Sequence, residues 1–118
     1  MRGINRVIIS GNVGAQIAFA GTGSGVAACS FFIASDRHSS GGAVISAWVK
    51  INVYGDNFVR ICRSRLQKGC YVLVEGELMN RDGQLGELVE VRAREILFLP
   101  RADEGASKED EEGSYGSR

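Results

Sequence analysis

Cysteine and histidine are scarce in this chain, and their scarcity argues against two classes of protein. There are three cysteines, Cys29, Cys62 and Cys70, with no Cys-x-x-Cys pair, and a single histidine, His38. An odd, widely spaced set of cysteines argues against a disulfide scaffold and against a zinc site. No apolar run approaches the length that spans a membrane, and no signal-like segment opens the chain. We therefore expect a protein of a reducing compartment without a membrane partner.

A catalytic arrangement is also missing from the sequence. His38 lies in a loop rich in glycine and serine, and the carboxylates are spread over predicted strand faces, so no Ser/His/Asp set forms. The stretch GTGSG, residues 21–25, departs from the G-x-G-x-x-G pattern and opens no helix, which favours a flexible connector over a phosphate loop. We expect no enzyme, no cofactor and no metal.

The net charge of zero hides an asymmetry along the chain. Residues 1–100 carry 11 Lys and Arg against 8 Asp and Glu, whereas residues 101–118 carry 3 against 6. The second segment follows Pro100, shows no periodicity and has almost no large apolar side chains. It cannot bury enough surface to offset the entropy of ordering. The sequence predicts a folded domain over 1–100 and a disordered acidic tail over 101–118.

The periodicity of the folded part predicts five strands and one helix. An apolar repeat at helical spacing predicts the helix at 56–69. One helix between the third and fourth of five strands matches the order of an OB-fold barrel, so we expect an all-β protein with one short helix. The strands are expected at 4–14, 26–36, 43–55, 71–78 and 87–99, with a bulge at Gly76 and a hairpin turn at Asp82-Gly83.

The third strand contains the most informative alternation. Its outward set is Trp48, Lys50, Asn52 and Tyr54, while the other set is purely aliphatic. An aromatic ring held on a sheet surface stacks a base without reading its sequence. Lys50 could meet a phosphate and Asn52 a sugar or base, so the set describes a platform for single-stranded nucleic acid. Packing of both rings into a second hydrophobic contact is an equally open explanation at this point.

Other side chains are less specific. Phe31 and Phe32 must point to opposite faces of the second strand, so one is expected in the core and one on the outer face. The arginines on the strands and the helix are typical of solvated surface charge as well as of phosphate contacts.

Four segments of the chain resemble bacterial-type single-stranded DNA-binding proteins. RGINRVIISGNVG, residues 2–14, is similar to their opening strand, and AWVKINVYGD, residues 47–56, to their aromatic third strand, with Tyr54 in place of the usual Phe. LQKGCYVLVEGEL, residues 66–78, and VRAREILFL, residues 91–99, resemble their last two strands. The motifs occur in order over residues 2–99.

The resemblance implies an OB-fold homotetramer that protects single-stranded DNA during replication, recombination and repair. It implies base stacking by Trp48 and Tyr54, and a location on the nucleoid in the bacterial cytoplasm in preference to the mitochondrial matrix. It also implies recruitment of replication and repair proteins through the acidic tail. The basic residues carried over as phosphate contacts are Lys50, Arg2, Arg6, Lys68 and Arg81.

The chain also departs from this family. Two further aromatic stackers common in the family have no counterpart in SDRHSSG, residues 35–41, or NRDGQLG, residues 80–86. The tail contains KEDEE but ends GSYGSR, without the family's Pro-Phe tip for partner docking. Two alternative hypotheses share the fold: an OB protein-interaction module, and an RNA-binding protein, because a stacking platform does not by itself exclude ribose.

Overall fold

The computed structural model describes residues 2–21, 27–80 and 89–100, together with the backbone of 114–116. The helix α1 spans Asp56–Arg65. With only 10 residues, α1 is too short to cross a membrane, and no other helix occurs in these described ranges. The strands are β1 (Val7–Ala20), β2 (Ala28–His38), β3 (Val44–Tyr54), β4 (Tyr71–Asn80), β5 (Val89–Leu99) and β6 (Ser114–Gly116).

The first five strands form one sheet that closes on itself into a barrel. The strand order is β3-β2-β1-β4-β5, and the successive neighbours pair antiparallel. β3 and β5 then pair in parallel, Ile51 with Val91 and Asn52 with Arg92, which closes the barrel. A closed five-stranded barrel with one helix between β3 and β4 confirms the OB-fold prediction.

β1 is longer than the predicted strand at 4–14, because it serves two neighbours in turn. Its first part pairs with β4 and its second part with β2, with an irregularity in register between Val13 and Ile17. Gly11 lies at the change of partner, and a Cβ built there would collide with the backbone carbonyl of Ala34. Only glycine allows the two strands to approach this closely.

The bulge predicted at Gly76 is confirmed. The register of β4 against β5 shifts between Glu75 and Gly76, so that Arg94 is the additional residue on β5. A Cβ on Gly76 would collide with the backbone carbonyl of Arg92. The bulge increases the local twist, which helps the sheet to close.

The helix ends earlier than the predicted 56–69. Leu66 has the extended angles φ −82° and ψ 126°, although its amide still donates to the carbonyl of Cys62. This change of direction allows the Leu66 side chain to join the core, where it is 7% exposed. The amphipathic face of α1 packs against the barrel through Phe58, Val59 and Cys62.

The acidic tail lies mostly outside the described residues. Its one described part, β6, pairs antiparallel with residues 95–97 of β5. Disorder of the remaining tail and the domain boundary at Pro100 stay predictions. The Asp82-Gly83 turn, the GTGSG stretch beyond Gly21 and Arg81 also lie outside the described residues.

Candidate nucleic-acid interface

The outward face of β3 keeps its aromatic side chains outside the barrel core. Ile51 and Val53 of the aliphatic set are fully buried, as the alternation predicts. Trp48 is 62% exposed, whereas Tyr54 at the other end of the strand is half-buried. Trp48 is therefore not a packing residue of the isolated subunit.

The neighbouring strands extend this outward face. On β2, Phe31 is buried in the core while Phe32 lies directly across from Lys50, which confirms the predicted division of the two phenylalanines. On β5, Arg92 pairs with Asn52 across the seam that closes the barrel. We call the resulting surface the β3 platform: Trp48, Lys50, Asn52 and Tyr54 of β3, Phe32 of β2, and Glu90 and Arg92 of β5.

An open groove lies beside Trp48. Its lining is Gly14, Ala15, Gln16, Phe32 and Trp48, and its volume is about 440 Å³. Gly14 allows the indole to lie close to β1, because a Cβ at this position would be only 3.1 Å from Cζ3 of Trp48. An apolar groove of this size with one exposed ring fits a flat aromatic ligand such as a base.

A second open groove lies at the Tyr54 end of the platform. It is lined by Tyr54, Glu77, Met79 and Arg92 and has a volume of about 500 Å³. The guanidinium carbon of Arg92 is 5.4 Å from the centroid of the Tyr54 ring, a cation–π contact. Tyr54 lies six positions after Trp48, which is about 20 Å along a strand. The platform therefore offers two separate aromatic stations.

A buried carboxylate occupies the middle of the platform. Glu90 is 6% exposed, and its Oε1 accepts a hydrogen bond of 2.7 Å from Nδ2 of Asn52. Nζ of Lys50 is 3.9 Å from Oε2 of Glu90. Asn52 is itself only 8% exposed. Its amide therefore supports Glu90 from within the surface, and the predicted contact of Asn52 with DNA stays a prediction.

Three of the other predicted phosphate contacts, Arg2, Arg6 and Lys68, lie on other segments of the chain, and Arg81 lies outside the described residues. The Arg6 guanidinium pairs with the carboxylate of Glu75 on β4 at 2.9 Å. Arg2 is exposed near the N-terminus, and Lys68 is exposed in the turn after α1. The structure thus brings together Trp48, Lys50, Asn52 and Tyr54 on one strand, whereas Arg2, Arg6 and Lys68 belong to other segments of the described chain.

The sequence did not predict the place of Glu90 or the contact of Gly14 with Trp48. It offered Arg92 as a possible phosphate contact, but not as a neighbour of the Tyr54 ring. The alternation in VEVRA, residues 89–93, separates Glu90 and Arg92 from the buried Val91 and Ala93. Alternation does not reveal the parallel pairing of β3 with β5, and that pairing brings both side chains to the platform.

In the part of the chain that the structure describes, the cysteines and acidic groups form no metal site. Cys29 and Cys62 are buried thiols, and a hydrogen bond with Cys29, together with burial, raises the pKa of Cys62 well above its ordinary range. Among residues 2–21, 27–80 and 89–100, no group of three or more His, Cys, Asp or Glu side chains could hold a metal ion.

Known proteins are similar to this chain in sequence and in fold. The model of the Single-strand binding protein family matches residues 4–99. The chain belongs to this family. A relative, Single-stranded DNA-binding protein 2 of Chlorobaculum tepidum, is 33% identical over 126 aligned positions, covering 93% of this chain and 80% of the relative. Membership in the single-strand binding protein family confirms the resemblance seen in the motifs and the expectation of a binding protein without enzymatic activity.

A solved structure of the family has the same fold. The complex of Plasmodium falciparum SSB with ssDNA superimposes with a TM-score of 0.70 at 21% identity, covering 85% of this chain and 98% of that one. At this identity the comparison shows the OB-fold alone.

Proposed function

We propose that this single-strand binding family member binds single-stranded DNA without sequence preference and protects it during replication, recombination and repair. The observation that carries the proposal is Trp48, which is 62% exposed beside an open groove on a sheet surface. Exposing a tryptophan to water is unfavourable unless a ligand covers it. A base stacked on the indole provides such a cover.

The DNA path follows the two aromatic stations. A base in the groove of Trp48 contacts Phe32, and a base in the groove of Tyr54 contacts Met79 and the planar guanidinium of Arg92. Arginine stacks on bases as well as pairing with phosphates, so Arg92 fits either role. Further phosphate contacts are proposed for Lys50, Arg2, Arg6, Lys68 and Arg81, and a sugar or base contact for Asn52.

Assembly into a homotetramer is part of the proposal. Ile4 is 96% exposed, Ile8 is 59% exposed and Leu78 is 50% exposed. The Asn5 amide ties the N-terminal segment to β4, because it donates to the carbonyl of Leu78 and accepts from its backbone amide. Exposed apolar side chains on ordered backbone favour contact with further copies of the chain. Light scattering of the purified protein should give the mass of four chains.

The cellular setting follows from this function. We propose a location on the nucleoid in the bacterial cytoplasm, where single-stranded DNA arises. The six carboxylates of residues 101–118 can attract basic surfaces of replication and repair proteins. A pull-down with the full chain and with a chain ending at Pro100 tests this route of recruitment.

The binding function is tested by competition. Fluorescently labelled oligo(dT) is titrated with the protein until its anisotropy stops rising. Unlabelled oligo(dT), mixed-sequence DNA, RNA of matched sequence or duplex is then added, and the fall in anisotropy measures competition. The proposal expects efficient competition by both single-stranded DNAs and poor competition by duplex. Tighter binding of the RNA would favour an RNA-binding role. Absence of binding by a folded protein would favour a protein-interaction module.

A further inference from the structure

The β3 platform contains a negative charge where a DNA-binding surface should gain from positive charge. Glu90 lies between the two aromatic stations, next to the seam where β3 and β5 pair in parallel. Ile51 of β3 pairs with Val91 of β5. Lys50 directly precedes Ile51, and Glu90 directly precedes Val91. The acid and the base are therefore neighbours across the seam and share the outward face.

Glu90 is held firmly in this place. Asn52 donates to its Oε1 at 2.7 Å, and the Lys50 ammonium lies 3.9 Å from its Oε2. A buried carboxylate is tolerated only when hydrogen bonds and an opposite charge compensate for lost hydration. Both are present here, and no buried side-chain nitrogen or oxygen in the described residues lacks a hydrogen-bond partner.

The consequence concerns Lys50. Its side chain is 29% exposed, so its ammonium can be approached from the outside, while the carboxylate faces it from within the sheet. A phosphate that reaches Lys50 meets the attraction of the ammonium and, from further inside, the repulsion of the carboxylate. The carboxylate therefore offsets part of the attraction that Lys50 alone would exert on a phosphate.

We propose that Glu90 is a positioning residue that holds Lys50 and limits the electrostatic part of binding to single-stranded DNA. The inference rests on the proposed function and deepens it. Binding at the platform itself then depends mainly on stacking at Trp48 and Tyr54, and Lys50 adds little to the salt dependence that the other proposed phosphate contacts provide.

The central variant is Glu90→Gln. Glutamine keeps the shape and an oxygen that accepts from Asn52, but it removes the charge that faces Lys50. Affinity for oligo(dT) should rise about three- to tenfold at low salt. The slope of log K against log salt concentration should steepen by about 0.7, the value expected for one additional phosphate contact on a single strand. A side chain with a merely structural role would not steepen this slope.

Two further variants show whether Glu90 acts through Lys50 or through the overall charge of the protein. Lys50→Gln should flatten the slope by much less than 0.7 in the wild type, and by about 0.7 in the Glu90→Gln background. Glu95→Gln removes a charge from the same strand beyond the bulge, and it serves as the matched control for a general charge effect. Thermal unfolding of each variant shows that the compared proteins are folded.

The outcomes separate this inference from the proposed function. The role of Glu90 is overturned if Glu90→Gln leaves the salt slope of binding unchanged or makes it shallower. It is also overturned if Glu95→Gln raises the affinity and the slope as much as Glu90→Gln does. In both cases the wild type still binds DNA. A full loss of about 0.7 in the slope on Lys50→Gln alone overturns it as well, without relying on the Glu90 variant. Failure of the wild type to bind at any salt concentration refutes the proposed function, and the role of Glu90 with it.

Discussion

Replacement of Trp48 by alanine is the perturbation that best separates binding from folding. The stacked base loses the indole face, which is worth about 1–3 kcal/mol per base. Since about 1.4 kcal/mol corresponds to a tenfold change in affinity, binding of a short oligo(dT) should weaken by about 5- to 140-fold.

The cost to stability should be smaller than for a core residue. Trp48 is 62% exposed. The buried remainder of a tryptophan is then about 60–100 Å², worth about 1.5–2.5 kcal/mol, part of which the alanine Cβ retains. We expect a loss of about 1–2 kcal/mol in the free energy of unfolding. The same change at Phe31, which is fully buried, should cost about 3–5 kcal/mol.

The assay must not depend on tryptophan, because Trp48 is the single tryptophan of the chain. Anisotropy of labelled oligo(dT) gives the affinity, and urea denaturation followed by circular dichroism gives the stability. Ile45→Ala is the matched control, because Ile45 is a partly exposed apolar residue of the same strand on the other set of alternate positions. Unchanged affinity in Trp48→Ala, or unfolding of this variant, would refute the stacking role.

Three other changes test separate parts of the structure. Tyr54→Ala should weaken binding by about 1–3 kcal/mol, whereas Tyr54→Phe should bind nearly as well because the ring is retained; anisotropy of labelled oligo(dT) compares them. Gly76→Ala should lower the free energy of unfolding by about 1–3 kcal/mol in urea denaturation, because its Cβ collides with the Arg92 carbonyl. Ending the chain after Pro100 removes six carboxylates and should raise ssDNA affinity at low salt but not at high salt; equal affinities at low salt would contradict competition by the tail.

The features that the sequence predicts well are those set by local chemistry. The alternation of β3 separates Trp48 and Tyr54 from Ile51 and Val53, because neighbouring side chains of a strand must point to opposite faces. Gly76 marks its bulge, because no other residue avoids the nearby backbone.

Features set by distant pairing could not be predicted in this way. Glu90 is 38 residues from Asn52 in sequence, and only the closure of the barrel brings the two side chains together. The helix ends at Arg65, earlier than its periodicity suggests. Leu66 already has extended backbone angles, and its side chain is buried in the core. The extension of β1 beyond residue 14 depends on its second partner, β2. Each of these outcomes is decided by tertiary contacts that a local pattern does not contain.

The most direct measurement is the intrinsic fluorescence of the wild-type protein during titration with oligo(dT) at several salt concentrations. The single tryptophan makes the signal a report on Trp48 alone. Strong quenching at saturation, at the same protein-to-DNA ratio that saturates the anisotropy of labelled DNA, is the predicted result. Tight binding without a change in the fluorescence would show that the strand does not pass over Trp48, and it would contradict the assignment of the β3 platform as the DNA-binding surface.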